Sequence, residues 1–591
     1  MNGILGGRTT NMTTARENTQ EILRGSIRTS PIAILLVVIA GLAVLLMLPL
    51  TAPIGPMYWD VFIYFDAANR ILNGQVPIND FFAPVGPLGY YIFTGGTILF
   101  PRAQPVLLAH WSWLVVTAPL IALIIMDVDR RSRNTALALL IPFLVFAVLP
   151  FNTRSFYPFP GSDGFGIYNR HTSQLLYVLV AALIFVRSAR LLCIVIAVSM
   201  LALFFGKITG AVSGAILCLF ALLAGRLSLR HAVIAALGFF AVLAIVEFSS
   251  GLVTSYLKDI FSLVAMNDET LAPRFVQSAS LNFGVLASGL LLAALSAIAN
   301  SRHLSADLGL IRREKTLHSV SRLLDNDALW LVVVLFAGVL FETQNTGSQA
   351  MILIWPAVLA LLLHLEPATA KPKTLVATMA LAGACVLPPL VYTVERAARA
   401  YIGSVKNVDL PNQHLKTLGA VNLRPRVMER TQRVLPILTS HHEAFTSFAK
   451  VGELPSPALY SEFGFQIGQL IEMDRNISSL LELEQKSGIH FSTIMTLEFV
   501  NPYPWLMNRN APKYVAIGAD PFRAVPNPDS QELKAVRAVD IAILPTCPLT
   551  DANLQLLKIY QQGLAQHIRI KLNDCADALV NPRLAARLPR Q

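Results

Sequence analysis

The chain has 591 residues, of which 54% are hydrophobic and 14% charged, and a formal net charge of +11; its mean hydropathy is +0.56. A soluble domain carries about 25% charged residues, so an ordinary soluble enzyme, a disordered chain and a coiled coil are excluded and a membrane protein with many spans is indicated. Five cysteines with no C-x-x-C pair exclude a disulfide scaffold and give no sign of a zinc site.

In chain order, residues 1–30 are polar, with Arg24 and Arg28 just before the first apolar run. That run, 31–50, reads as an uncleaved anchor, being longer than a signal-peptide core. Further runs follow at about 105–126, 135–151, 174–187, 191–206, 210–226, 232–251, 281–300, 328–342, 349–364 and 374–394. A Gly-rich run at 86–101, bracketed by Pro87 and Pro101, is read as lying in the interface. With the N-terminus in the cytoplasm, the eleven runs alternate so that 18 Lys/Arg fall in cytoplasmic pieces and 7 in the opposite loops. The positive-inside rule favours this orientation. It also accounts for much of the basic charge, and no basic stripe of a nucleic-acid binder is visible.

After about residue 395 the sequence turns mixed. Tyr514–Ile517 and Val539–Leu544 read as short buried strands and Asn553–Gly563 as helix. The expectation is an all-α polytopic membrane domain over 31–395, with a first outer loop at 51–104, followed by a soluble extracytoplasmic α/β domain over 396–591. Cys547 and Cys575 fall in that last domain, and an oxidising periplasm would suit a bridge between them; two buried thiols are the alternative.

The first outer loop concentrates unusual residues. It runs Tyr58-Trp59-Asp60, then Asp66, Asn69, Arg70, Asn73 and Gly74, then Pro77, Asp80-Phe81 and Gly86-Pro87-Leu88-Gly89-Tyr90-Tyr91. Residues 60–73 are expected to form a short helix stopped by Gly74. At about 100° per residue, Asp66, Asn69, Arg70 and Asn73 share a polar face, while Asp60 lies toward the apolar side at the helix start. A carboxylate held there is costly unless it is partnered or used.

An acid after the first span, a short helix, an Asp-Phe pair and a Gly-Pro-Leu-x-Tyr-Tyr run together resemble the type C glycosyltransferase superfamily. The pattern is similar to the bacterial protein O-mannosyltransferase and lipid A aminoarabinose transferase families. The family's frequent Asp-Glu pair is Asp60-Val61 here, and its Pro-Pro-Leu is Gly86-Pro87-Leu88. The resemblance implies a multi-pass protein of the bacterial inner membrane that takes sugar from a polyprenyl-phosphate donor to a glycan, lipid or protein acceptor. It also implies an active site in the first outer loop, with a catalytic carboxylate that matches Asp60 by position.

Such a transfer needs a base for the acceptor hydroxyl and positive charge for the leaving phosphate. Asp60 is taken as the base, with helix capping as the bland alternative. Asp66 and Asp80 are donor- or acceptor-binding candidates, against a solvated helix face and a turn respectively; Tyr91 joins them from the same loop. Lys207, in Phe205-Gly206-Lys207-Ile208-Thr209-Gly210, is a phosphate clamp or a lysine snorkelling to the interface. Arg170 and His171 lie in an irregular Pro/Gly-rich loop and suit phosphate or sugar, with loop structure and headgroup contact the favoured alternative; Glu342 and Asn345, in a short polar loop, suit sugar hydroxyls, as any such loop could. The aromatic stretch Leu497–Trp505 is either a carbohydrate surface or a packed turn.

No cofactor is expected and a divalent metal is left open; neither a Walker loop nor a G-x-G-x-x-G fingerprint is present. A transporter or flippase for lipid-linked glycans is the competing function. It would place ionisable groups deep in several spans, whereas Glu247 is one of few here. A non-catalytic assembly protein of the same architecture is a third reading.

Overall fold

The computed structural model describes residues 30–588 apart from 155–160, 268–270, 344–346, 366–371 and 453–462. Helices coincide with every long apolar run. Among the described residues, four are long and apolar enough to cross a membrane: Pro105–Asp129, Ala189–Gly206, Leu229–Ser250 and Pro372–Lys406. Two bent pairs, Ala272–Leu281 with Phe283–Ala299 and Leu317–Leu324 with Asp327–Glu342, broken by 79° and 73°, reach that length only when both helices of the pair are taken together. Pro31–Met47, Arg133–Val148, Ile208–Leu223 and Ile352–Leu363 are shorter apolar helices. The Gly-rich run forms the helix Leu88–Leu99 of 12 residues, about 18 Å at 1.5 Å per residue and too short to cross about 30 Å of hydrocarbon.

The helix starts are set by local chemistry. Ser132, Ser188 and Ser228 cap the helices that follow by accepting from the N–H groups of Thr135, Leu191 and His231. Pro31 opens the first helix, where a missing N–H costs nothing. Helix Leu229–Ser250 buries only Ala235 and presents Leu237, Phe240, Ile245 and Phe248 outward, the composition a lipid-facing surface requires.

Helix Ile167–Phe185 is the opposite case, buried almost throughout. It begins seven residues before the apolar run at 174, so the polar residues 167–173, expected as loop, are helical. Their polar atoms find partners inside the protein. Thr172 and Ser173 donate back to the Tyr168 and Asn169 carbonyls, and the Gln174 amide donates to Gln349 Oε1 at 3.0 Å. A buried polar helix face is tolerated when it is satisfied in this way.

Two sheets lie outside the apolar helices. The first joins β1 (Ala52–Pro53), β2 (Val408–Asp409) and β3 (Val421–Leu423) in the order β1-β3-β2. Here β1, from the first loop, runs parallel to β3, with Ala52 opposite Val421. The second holds β4 (Ile494–Thr496), β5 (Ile541–Pro545), β6 (Ile568–Asn573) and β7 (Ala576–Val580) in the order β4-β5-β7-β6. Only its β4–β5 pair is parallel. The Val539–Leu544 run thus supplies β5. Tyr514–Ile517 is not a strand of this sheet. The Tyr514 and Ile517 N–H groups bond instead to the Asp80 and Phe82 carbonyls of the first loop, at 2.5 and 3.0 Å. Cys547 and Cys575 are joined by a disulfide.

No break marks residue 395, because helix Pro372–Gly403 runs through it. Arg396 on that helix forms a bidentate pair with Asp163, at 2.7 and 2.8 Å, with both side chains almost wholly buried. Asp163 also accepts from the Asn152 N–H at 2.7 Å. This pair ties the 152–166 loop to the last long helix. Removing one partner of such a pair costs about 3–5 kcal/mol because the other charge stays buried. Arg396→Met should therefore lower the unfolding temperature of the detergent-solubilised protein sharply. Arg396→Met combined with Asp163→Leu should recover much of the loss.

Candidate active site

The first loop is held close by its glycines. Gly55 and Gly161 lie so near the opposing backbone that a Cβ would fall 2.2 Å from the Ser162 carbonyl oxygen and 2.1 Å from that of Ile54. Gly164 is as tightly set against Met57, and its N–H donates to the Pro56 carbonyl at 3.1 Å. Residues 53–58 and 161–166 thus pack backbone on backbone, which explains Gly161 and Gly164. Gly166 ends it at φ +68°, where a Cβ would sit 1.8 Å from the Gly347 carbonyl oxygen.

Asp60 opens the helix Asp60–Leu72, which ends before Gly74 at φ +80°, as the sequence predicts. The carboxylate does not cap its own helix. Its Oδ2 accepts the Gly166 N–H at 2.9 Å, at the start of helix Ile167–Phe185, where the helix dipole favours negative charge. Burial dominates even so. Asp60 is 6% exposed, and desolvation pushes its carboxyl up to about 7, against the lowering influence of the Gly166 N–H, Arg170 and Arg523. A carboxyl poised there suits proton transfer near neutrality. Tyr64 lies one helical turn on, close enough for its phenol to feel the Asp60 charge, and its buried hydroxyl makes no hydrogen bond in the structure. Its i, i+4 spacing from Asp60 puts it on the same face, a relation legible in the sequence.

The same helix N-terminus carries a second group. Lys207 breaks the path between helices Ala189–Gly206 and Ile208–Leu223, with φ −159°. Its Nζ donates to Asn169 Oδ1 at 2.6 Å and lies 4.8 Å from the Phe341 ring centroid. Asn169 Nδ2 in turn donates to the Gly347 carbonyl at 2.9 Å. Glu342 is buried, accepts from the Ser348 hydroxyl, and interacts electrostatically with Lys207 and Arg154. Gly166 and Asn169 are one turn apart, so the acid and the cation are set on a common rigid element.

Other candidates have different surroundings. Asp66 is not on a solvated face. It pairs with Arg70 at 2.8 Å, both side chains buried, and Arg70 Nη1 donates to the Pro512 carbonyl at 2.6 Å. Asn69 and Gln75 donate to the Arg509 and Ala511 carbonyls. The polar face of the loop helix therefore docks on the tail backbone. Asp80 accepts the Val76 N–H at 2.8 Å and pairs with Lys513 at 3.2 Å, closing a turn. Arg170 is engaged within the protein. It donates to Asn152 Oδ1, the Phe165 and Asp163 carbonyls and His110 Nδ1, and so holds the 152–166 loop. His171 shares a bond with the Ala109 carbonyl at 2.9 Å and stacks on Trp113 at 4.7 Å. Tyr91 is 41% exposed on helix Leu88–Leu99, away from the buried group. Asn345 lies outside the described residues.

The docking of the loop helix can be tested directly. A hydrogen bond to a charged donor contributes about 1.5–3 kcal/mol, so Arg70→Ala should speed tryptic cleavage after Arg509 by about tenfold or more. Unchanged cleavage would mean that Arg70 does not hold the segment.

No protein-family model matches the chain, and no curated protein matches it significantly. Among solved structures, the chain is similar to ArnT from Cupriavidus metallidurans. The apo form is 14% identical and covers 94% of this chain and 99% of that one, with a TM-score of 0.38; the form bound to undecaprenyl phosphate has the same identity and coverage and a TM-score of 0.40. The archaeal oligosaccharyltransferase AglB from Archaeoglobus fulgidus, in complex with an inhibitory peptide and a dolichol-phosphate, is 12% identical. That alignment covers 90% of this chain and 72% of that one, with a TM-score of 0.32. At such scores the likeness assigns no residue a role.

Proposed function

We propose that the protein is a membrane glycosyltransferase that moves a sugar from a polyprenyl-phosphate donor to a cell-envelope acceptor on the extracytoplasmic side. The observation that carries this reading is Asp60: a buried carboxylate, fixed through Oδ2 by the Gly166 N–H and pushed up to about 7. It lies beside a helix turn that also holds Lys207 through Asn169. The sequence resemblance of the first loop points to the same chemistry, and the charge bias of the loops supports eleven crossings with the tail domain outside.

In this reading Asp60 takes the proton of the acceptor hydroxyl. The oxygen attacks the anomeric carbon as the bond from that carbon to the phosphate oxygen breaks, and the electron pair leaves with the lipid phosphate. One displacement inverts the anomeric centre and needs one essential carboxylate. Lys207 neutralises the phosphate from its buried station, and Glu342 keeps the empty site from holding an unbalanced cation. The hydroxyl of Tyr64 is placed to orient the acceptor or the sugar.

The sign of the pH dependence follows. Below about 7 the Asp60 carboxyl already holds a proton and cannot accept another, so kcat/KM should rise with pH through a limb near 7. Asp60→Asn should cut transfer by about 10²–10⁴-fold without loss of folding, measured with a lipid-linked sugar donor in membranes. Full activity in a folded Asp60→Asn protein would remove the base. Lys207→Met should raise the donor KM by about tenfold, the effect of losing about 1.4 kcal/mol of charge-assisted binding, and affect kcat less. An unchanged donor KM would remove the clamp.

A further inference from the structure

A cleft in the tail domain is not used by the chemistry above. It lies between helices Pro425–Ser440 and Phe463–Ser487 on one side and the Cys547–Cys575 disulfide with Pro548 on the other. It leaves about 80 Å³ of room for the centres of water-sized groups, several times the roughly 10–15 Å³ that one water needs.

Two polar atoms in its wall lack partners. The Thr431 hydroxyl and Glu472 Oε2 are buried and make no hydrogen bond in the structure, and their residues are 2% and 9% exposed. A buried polar group left this way costs about 1–3 kcal/mol, so a ligand hydroxyl that drew these two side chains toward the cleft would be favoured. Neighbouring groups are already oriented. Glu472 Oε1 accepts from Arg475, the Gln469 amide donates to Glu498 Oε1 at 2.8 Å, and the Asn476 amide donates to the Tyr503 hydroxyl at 3.0 Å. Leu435, Leu438, Phe465 and Met473 supply an apolar wall.

Among the described residues the lining contains two carboxylates, Glu472 and Glu498, and no Lys, Arg or His. Arg475 lies outside the lining and is already paired with Glu472 at 2.8 Å, so a phosphate or uronate would meet the carboxylates first. A hydroxyl-rich ring with an apolar C–H face fits both the polar row and the apolar wall.

We infer that this cleft binds a non-anionic saccharide unit through Thr431, Glu472 and the amide-bearing side chains of Gln469 and Asn476. The binding does not depend on transfer at Asp60, and it communicates with the first loop through one helix. Gln466, on the helix that carries Gln469, Glu472 and Asn476, accepts the Tyr58 N–H at 2.7 Å, two residues before Asp60.

The test uses the full-length protein in detergent with three probes: N-acetylglucosamine, glucosamine and glucuronate. Saturation-transfer NMR and titration should show at least one of the first two binding tenfold or more tightly than glucuronate. Which of the two binds more tightly tells a neutral preference from an amine preference. Thr431→Val with Glu472→Gln should weaken that binding tenfold or more. Thr431→Val alone, which is isosteric, should weaken it measurably and serves if the double variant does not fold. Asp60→Asn should bind the sugar as the wild type does, which separates this site from the transfer reaction. Binding of none of the probes, equal binding of all three, or undiminished binding by a folded variant would overturn the inference.

Discussion

The hydrogen bond from the Gly166 N–H to Asp60 depends on a backbone geometry that only glycine permits. With φ at +68° and the Gly347 carbonyl pressed against its α-carbon, Gly166 has no room for a side chain. The N–H it presents is an unpaired donor at the start of a buried helix, and a carboxylate from a segment 106 residues earlier in the chain takes it. This contact does two opposed things. It brings a negative charge to the favourable end of a helix dipole, and it places that charge where water cannot solvate it. Burial outweighs the attraction, leaving a carboxyl whose proton is exchangeable near neutrality.

The rest of the molecule maintains that compromise. Asp163, paired to Arg396 and bonded to the Asn152 N–H, stiffens the loop that ends at Gly166. Arg170 adds donors to the same loop from the helix interior. From the other side, the tail holds the helix that Asp60 begins, through backbone carbonyls at Arg509, Ala511 and Pro512. The first loop and the tail share one apolar core, in which Tyr58, Phe62 and Phe65 cluster with Ile467, Leu470 and Tyr503. Asp60 is therefore dry because the membrane-proximal helices and the tail close around it together.

Much of this architecture was legible in the sequence, for identifiable reasons. Apolar runs announced their helices, and Gly74 announced the end of the loop helix, because both signals are local. The start of helix Ile167–Phe185 was hidden because Asn169–Gln174 are polar, and polar residues read as loop unless their buried partners are known. For Arg170 and His171 the sequence leaves ligand and loop roles open for the same reason: it shows a donor and not what occupies it. Tyr514–Ile517 had the composition of a strand, yet its backbone partners are Asp80 and Phe82, far away in the chain. Asp60 was singled out by its place at an apolar helix start and by resemblance, while its contact with Gly166 could be found only in three dimensions.

The parallel pairing of β1 with β3 has a consequence for how the molecule is made. Ala52 and Pro53 emerge early, and the strand that satisfies them lies at Val421 and Asn422. Tyr58 waits longer, for Gln466, 408 residues later. At about 5–20 residues per second of synthesis, that interval is roughly 20–80 s. Throughout it the nascent first loop has open backbone groups and a carboxylate without its final shell. The apolar helices can insert in order, but the shell around Asp60 closes only when the last third of the polypeptide arrives, so a ribosome that stalls before then leaves an inserted product whose first loop is still open on that side.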